Sequence, residues 1–331
     1  GGVVAVVGDD PSAKSSTLPS SSDATMVDLH MPLLFPGDAQ ESLELARHAV
    51  ALSRASGLWS GLKLVTQVAD GTATVDVRSD LVVPVVPVVE FDGQPFVPQP
   101  NGRLITPFTI EREREFHEVR TEVARQYGAL NRLNRVTVRG PSDWIGIAAC
   151  GHTYLELRES LQLLGFADDD ALRDAGIRLF QLLMPLPLDR HDVRDFAAGL
   201  TDVLVVEEKN ATLELLVRDA LYDTADRPRV WGKRDSEGRI IIPYDGLLDA
   251  DRITPALRHH LADKLGERLA PARQRPDRHL IPLEVNRAPY FCSGCPHNTS
   301  TRVEPGTLVG AGIGCHAMVA FLEPERSGEI V

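Results

Sequence analysis

The first 77 residues alternate short apolar runs with a helical pattern. Residues 3–7 form an uninterrupted apolar run, which predicts a buried strand, and a serine-rich loop follows at 12–22. Residues 39–56 repeat apolar side chains every three or four positions, which predicts an amphipathic helix that ends at Gly57. A second strand is predicted at 62–68. This order of strand, helix and strand is typical of an open α/β sheet.

A second strand-and-helix pattern occupies the middle of the chain. Three apolar runs, at 144–150, 177–183 and 203–206, are separated by segments long enough for a helix. We expect these runs to form adjacent parallel strands with right-handed crossovers. Helical periodicity predicts the helices of this region at 154–164, 193–199, 212–221 and 255–269. The sequence therefore predicts the α/β fold class with a parallel sheet.

Two segments with different patterns lie between these regions. Residues 80–107 contain six prolines, which exclude a regular core element and predict an extended arm that wraps a neighbour. Residues 109–131 predict a helix that is dense in Glu and Arg, and these charges indicate a solvated face. Because an apolar strand opens the chain and a glycine-rich turn lies near its end, we expect an internal piece of a longer polypeptide.

Composition and charge narrow the function classes. The 331 residues are 43% hydrophobic and 25% charged, which is ordinary for a globular protein and excludes a wholly disordered chain. The net charge of −12 argues against a nucleic-acid partner, because such proteins concentrate Lys and Arg. The sequence shows neither an apolar run of about 18–20 residues nor a signal peptide, so we expect a cytoplasmic protein without a membrane partner. Its 4 cysteines favour metal or redox use over a disulfide scaffold.

The cysteines near the end of the chain are the strongest candidate for chemistry. Cys292 and Cys295 are two residues apart, and Cys315 is followed directly by His316. Two thiolates at this spacing can bind one metal ion or cluster, because the intervening turn directs both sulfurs to one side. Zinc held by all four side chains and an iron–sulfur cluster held by the three cysteines both fit this spacing. Three buried cysteines near a turn are the alternative without a metal.

The glycines at 310, 312 and 314 form a second candidate, which follows the cysteine pair. A glycine-rich turn lets backbone N–H groups approach a diphosphate at a strand-to-helix junction. The same glycines could merely relieve a tight turn, and a lone pattern of this kind is weak evidence for a phosphate contact. The pattern alone therefore leaves both interpretations open.

A polar loop follows the first predicted strand and forms a third candidate. Its position at the carboxyl end of a parallel strand is the edge where open α/β sheets bind ligands. Asp, Ser and Pro are also what turns and helix caps use, and the pattern alone favours that interpretation. The candidate cofactor-binding residues of this loop are Asp9, Asp10, Ser15 and Ser16.

Together, five segments closely resemble the large, fused indolepyruvate:ferredoxin oxidoreductases. These enzymes belong to the thiamine-diphosphate-dependent 2-oxoacid:ferredoxin oxidoreductases. The resemblance extends from residue 2 to about residue 322, and the run that contains the cysteine pair is its most specific part. The segments that carry the resemblance are 8–19, 54–59, 205–209, 289–301 and 311–316.

The resemblance implies a set of thiamine-enzyme-like domains. Residues 1–80 match the C-terminal part of a pyrimidine-binding domain, and residues 81–134 form the proline-rich arm and charged helix. Residues 135–278 resemble a transketolase C-terminal-like α/β domain. Residues 285–331 would begin the domain that binds the diphosphate and the cluster.

The resemblance also implies a reaction and its cofactors. The enzyme would oxidatively decarboxylate an aryl 2-oxoacid such as indolepyruvate with coenzyme A, and pass electrons to ferredoxin. Thiamine diphosphate, Mg²⁺ and a [4Fe-4S] cluster are the implied cofactors. The resemblance favours the cluster over zinc, with Cys292, Cys295 and Cys315 as ligands. The implied cofactor contacts in the same region are His297, Gly312 and Gly314.

Other parts of the implied site are missing from this sequence. The Mg²⁺ motif, the activating glutamate and the fourth cluster ligand are expected outside the chain, so we expect the fragment alone to be inactive. The resemblance further implies a homo-oligomer. The competing function class is a zinc-stabilised structural or interaction module that uses the three-cysteine motif only to hold a turn.

Overall fold

The computed structural model describes residues 1–100, 102–272, 290–310, 312, 314–322 and 327–330. The chain divides into two compact units, Gly1–Arg273 and Gln274–Val331. Residues 273–289, which include the end of the predicted 135–278 domain and the start of the predicted 285–331 domain, lie outside the described residues. None of the helices in the described ranges is long and apolar enough to cross a membrane.

The first unit begins with a small parallel sheet. Both outer strands pair in parallel with the central strand, so the order is β1-β3-β2. The helix predicted at 39–56 is confirmed at both ends, because the Asp38 carboxylate accepts a hydrogen bond from the Glu41 N–H and Gly57 ends the helix with φ +72°. The elements are β1 (Val3–Asp9), α1 (Asp23–Asp28), β2 (Leu33–Leu34), α2 (Ala39–Ser56), β3 (Trp59–Val65) and α3 (Thr66–Ala69).

The strand predicted at 62–68 is displaced in the structure. It occupies Trp59–Val65, and the chain turns into α3 at Thr66. The apolar pattern continues past the strand because Val68 packs from α3 against a second core cluster. The prediction was therefore wrong at the end of this strand.

Among its described residues, the proline-rich arm contains one short hairpin, β4 (Glu90–Phe91) with β5 (Gln94–Pro95). The helix predicted at 109–131 begins at Phe108 and ends at Leu130, and it includes a π-helical turn. Its first segment buries no side chain, which confirms the solvated face there. The segments are α4 (Phe108–Glu115), the π-helical turn (Phe116–Arg120) and α5 (Thr121–Leu130).

The second sheet has five strands in the order β10-β9-β7-β8-β6. The central strand β7 pairs in parallel with both β8 and β9, which confirms the predicted arrangement and the α/β fold class. The two edge strands were not predicted, and β6 runs antiparallel to β8. The elements are β6 (Asn134–Val138), β7 (Ile145–Cys150), α6 (Gly151–Leu163), α7 (Asp169–Ala175), β8 (Ile177–Leu182), α8 (Arg190–Ala197), β9 (Asp202–Val206), α9 (Thr212–Leu221), β10 (Arg229–Trp231) and α10 (Ala250–Leu265).

Helices cover both faces of this sheet. Successive side chains of β7 alternate between two core clusters: Ile147 packs with α6 and α10, and Ala148 packs with α8 and α9. Phe35 from the first sheet joins the second of these clusters. Backbone N–H groups of Leu33 and Phe35 also donate to the carbonyl oxygens of Leu186 and Leu183, so the two sheets are joined directly.

A buried ion pair lies at the amino-terminal ends of β7 and β8 in the second sheet. The Arg178 guanidinium donates from Nε to the Asp143 carboxylate at 2.8 Å, and also to the carbonyl oxygens of Phe196 and Ala198. Both charged side chains are almost completely buried. Water is excluded from both groups, so each charge is stabilised by the other.

We expect Arg178→Ala to destabilise the protein by about 3–5 kcal/mol, because it leaves the Asp143 carboxylate buried without its partner. Denaturant unfolding measures the loss. The matched control is Arg139→Ala, which removes an exposed pair with Asp195 and should cost no more than about 1 kcal/mol. Equal losses in the two variants would contradict this account of the buried pair.

Candidate functional site

The second sheet changes its winding direction at the carboxyl ends of β7 and β9. From β7 the chain crosses through α6 and α7 to β8 on one side, and from β8 it crosses through α8 to β9 on the other side of β7. Ligands of open α/β sheets bind in the crevice that such a reversal leaves. A narrow crevice is present here, and its lining includes Cys150 from β7, Glu207 after β9 and Lys63 from the first sheet. We call it the switch-point crevice.

Lys63 is buried and has two carboxylate partners. Its Nζ lies 3.2 Å from the Asp9 carboxylate and 2.5 Å from the Asp23 carboxylate, and 4.3 Å from the centre of the Phe35 ring. Asp9 also accepts hydrogen bonds from the backbone N–H and the hydroxyl of Ser22. Burial lowers the pKa of Lys63, but the charges of Asp23 and Asp9 outweigh it and raise that pKa. The ammonium therefore stays protonated inside the fold.

The predicted ligand loop is organised around Asp10. Its carboxylate accepts hydrogen bonds from the backbone N–H groups of Lys14, Ser15 and Ser16 at 3.0, 2.6 and 2.7 Å. Burial raises the pKa of Asp10, but these donors outweigh it and hold that pKa below its usual range. The carboxylate already uses the N–H groups that a phosphate would need, which fits the turn interpretation. A cofactor-binding role for Asp9, Asp10, Ser15 and Ser16 stays a prediction.

Glu207 lies at the end of β9 and caps the next helix. Its carboxylate accepts hydrogen bonds from the backbone N–H groups of Leu213 and Glu214 at 2.7 and 2.9 Å. The Lys233 ammonium donates to the backbone carbonyl of Glu207 at 2.6 Å. Burial outweighs the N–H donors and the positive charge of Lys233, and raises the pKa of Glu207 to about 7. This carboxyl therefore titrates near neutral pH.

Lys233 is the second buried lysine of the region. Its exposed fraction is 1%, and its ammonium also donates to the carbonyl oxygen of Pro243. Burial lowers the pKa of Lys233 to about 8, although Glu207, Glu208 and Glu214 act in the opposite direction. Sequence reasoning missed both lysines. For Lys63 a signal was present, since a lysine inside an apolar strand is rarely buried without a charged partner.

The second unit presents the cysteine pair on a tight turn. The backbone N–H of Cys295 donates to the carbonyl of Cys292 at 3.0 Å, and Gly294 between them has φ +74°, a conformation that favours glycine. The thiol of Cys295 lies 3.2 Å from Nδ1 of His297, whose ring stacks on Phe291. Cys292 is exposed and Cys295 is partly exposed. Both residues therefore lie where a ligand can reach them.

The third cysteine begins a short 3₁₀ helix, Cys315–Phe321, and is exposed. The backbone N–H of Gly312 donates to Nδ1 of His316, and the rings of His316 and His297 lie 6.0 Å apart. Gly314 has φ +95° and nothing within 4 Å of the place where a Cβ would be. In the part of the chain that the structure describes, no three His, Cys, Asp or Glu side chains are grouped to hold a metal ion. Metal binding by the three cysteines stays a prediction.

We expect the stability of the protein to fall with rising pH between about 4.5 and 7 through Glu207. Its pKa in the folded state is about 7 and its ordinary value is 4.5, so the folded state binds the proton more tightly in this window. The contribution is about 3 kcal/mol. Glu207→Gln should remove this slope in denaturant unfolding measured across the window. Glu237→Gln, at an exposed site, should keep it, and an unchanged slope in Glu207→Gln would be inconsistent with the assignment.

Comparisons with known proteins support the resemblance. Residues 135–275 match the indolepyruvate oxidoreductase domain family. The chain is 28% identical to the indolepyruvate oxidoreductase subunit IorA of Methanothermobacter thermautotrophicus, over 89% of this chain and 43% of that protein. It is 25% identical to the IorA subunit of Thermococcus kodakarensis, over 99% of this chain and 48% of that protein. The chain thus spans about half the length of the curated relatives it matches.

Solved structures also include similar chains. A 2-oxoglutarate:ferredoxin oxidoreductase from Magnetococcus marinus is 16% identical with a TM-score of 0.48, and the match covers 77% of this chain and 48% of that one. A split-gene transketolase is 16% identical with a TM-score of 0.42, over 78% of this chain and 66% of that one. The domain match and the IorA subunits confirm the resemblance that the sequence motifs predicted: residues 135–275 match the indolepyruvate oxidoreductase domain, and most of the chain is similar to IorA subunits.

Proposed function

We propose that this chain forms part of an oxidoreductase that oxidatively decarboxylates an aryl 2-oxoacid with coenzyme A and passes electrons to ferredoxin. The observation that carries the proposal is the accessible turn of Cys292 and Cys295 in a chain related to the indolepyruvate oxidoreductases. Electron transfer to a one-electron acceptor needs a redox group in the protein, and a pair of accessible thiols on one turn can hold such a group.

The three cysteines supply the donors that a [4Fe-4S] cluster takes. Thiolates are soft ligands, and Cys292, Cys295 and Cys315 all lie in the second unit. A bound cluster would supply one-electron transfer. His297 lies close enough to the sulfur of Cys295 to donate a hydrogen bond when its Nδ1 carries the proton. Such a donor withdraws electron density from a ligand sulfur and tunes the reduction potential.

Thiamine diphosphate and Mg²⁺ complete the proposed cofactor set, and the diphosphate is assigned to the glycine-rich turn. Gly314 adopts a conformation that favours glycine and has open space around its α-carbon, so a ligand can approach the backbone closely there. Nδ1 of His316 accepts a hydrogen bond from the backbone N–H of Gly312, which holds Gly312 in place. The cytoplasmic location and the homo-oligomeric state expected from the sequence also stay predictions.

A zinc-stabilised module is the second candidate function, and one contact favours it. Cys295 touches His297, and the ring of His297 lies 6.0 Å from that of His316, so thiol and imidazole donors are neighbours in this unit. Mixed sulfur and nitrogen ligands are typical of structural zinc sites. Under this alternative the metal would carry no electrons and would only hold the turn.

We expect Cys295→Ser in the complete protein to lose iron and ferredoxin reduction together, because a hydroxyl is a poor replacement for a thiolate ligand. Iron and sulfide analysis after anaerobic purification, with a ferredoxin reduction assay, measures both. Cys150→Ala is the matched control for metal content, since this buried cysteine lies in the other unit, and it should keep its iron.

Zinc released by a chelator from a colourless, iron-free wild type would support the alternative module. Full ferredoxin reduction by the Cys295→Ser protein would show that this cysteine does not bind the cluster.

A further inference from the structure

A larger cavity lies beside the switch-point crevice in the first unit. Its volume is about 430 Å³, which falls within the range of small-molecule sites. Leu186 and Leu216 line both spaces and separate them. The walls come from α1, the start of the π-helical turn, α5, α8 and α9, so helices from the regions of both sheets enclose it.

The interior of this cavity is apolar and adaptable. Met26 and Leu186 are buried in a small core cluster, and Met31 and Leu216 pack against that cluster. Two thioether side chains in one wall can adjust their shape to an incoming apolar group and make favourable contacts with an aromatic ring. Covering the apolar surface of this wall with an apolar group is favourable, because it removes that surface from water.

Polar groups are few in this lining, and the charged pair among them, Arg190 with Asp219, is exposed to solvent. The Arg190 guanidinium donates from one nitrogen to the Asp219 carboxylate at 2.7 Å, and its other nitrogens have no hydrogen-bond partner among the described residues. The rings of His30 and His117 meet edge to face at 5.3 Å. Neither imidazole has a hydrogen-bond partner in the described part of the chain, so both are available to a ligand.

We propose that this cavity binds a small amphipathic carboxylate. The apolar body would fill the methionine-lined interior, and the carboxylate would take the open side of the Arg190 guanidinium, where paired N–H groups match its two oxygens. A doubly charged phosphate fits less well, because Asp219 lies in the same lining and would repel it. Because Asp219 already balances part of the Arg190 charge, the remaining N–H groups of the guanidinium suit a ligand with a single negative charge. The site does not depend on the cysteine motif or on the proposed reaction.

Titration calorimetry of the complete protein with octanoate and with 4-phenylbutyrate tests the proposal. We expect at least one acid to bind at one site per chain, and its methyl ester to bind at least about tenfold more weakly. Binding of octanoate alone identifies a fatty acid site, and binding of phenylbutyrate alone identifies an aryl acid site. Arg190→Gln should weaken binding of the acid by about ten- to a hundredfold and leave the ester unchanged.

Two further variants separate the cavity from other sites. Leu216→Trp fills the cavity and should abolish binding of both acid and ester, while a thermal melt reports that the variant is folded. Arg218→Gln removes an exposed arginine of the same helix that pairs with Glu214 outside the cavity lining, and it should bind as the wild type does. The proposal is overturned if neither acid binds, if acid and ester bind equally, or if Arg190→Gln and Leu216→Trp both bind normally. A Leu216→Trp variant that changes oligomeric state, with a wild type that binds neither acid, would show that a second copy fills the cavity.

Discussion

An ammonium inside a protein needs partners that replace water, and Lys63, which meets two carboxylates, imposes this condition on the first unit. Its partners come from the end of β1 and the start of α1, and its third neighbour is the ring of Phe35 after β2. Because Phe35 also belongs to a core cluster of the second sheet, the lysine fixes three elements of one sheet against the other. Lys63, Asp23 and Phe35 all line the switch-point crevice, so this pairing shapes its wall.

The approach of the two sheets at this point is close enough to require glycine. A Cβ on Gly151, the first residue of α6, would lie 2.4 Å from the Phe35 ring, and this residue has φ +53°. A Cβ on Gly37 would lie 2.8 Å from the carbonyl oxygen of Gly151. Both positions must therefore be glycine for the loop after β2 to contact the start of α6. The charge pairing of Lys63 and this close contact both hold the loop after β2 against the second sheet. The first acts through electrostatics and the second through steric fit.

The sequence predicts the central strands well because they are buried on both faces. Every residue of β7 and of β8 is buried, so β7 is a continuous apolar run and β8 is apolar except at Arg178 and Gln181. The edge strand β6 carries Asn134, Arg135 and Thr137 and is only partly buried, so it lacks that signal and is seen only from its pairing with β8. The two residues of β2 are too few for any periodicity. What escapes prediction is thus what tertiary pairing alone creates.

The candidate sites differ in the same way: one is formed by local sequence and the other by tertiary contacts. The cysteine pair is visible in the sequence because one turn of four residues, closed by the hydrogen bond from the Cys295 N–H to the Cys292 carbonyl, holds both residues, and no distant contact is needed. The buried charges come from elements far apart in the chain. Asp9 meets Lys63 through the pairing of β1 with β3, and Lys233 donates to the backbone of Glu207. The docking of the two sheets then brings Lys63 and Glu207 to one crevice. A buried charge without its partner is strongly destabilising, so each of these groups contributes to the fold only when the rest are in place. The cluster is therefore a consequence of the completed fold, whereas the cysteine turn is a local property that any fold of this segment can carry.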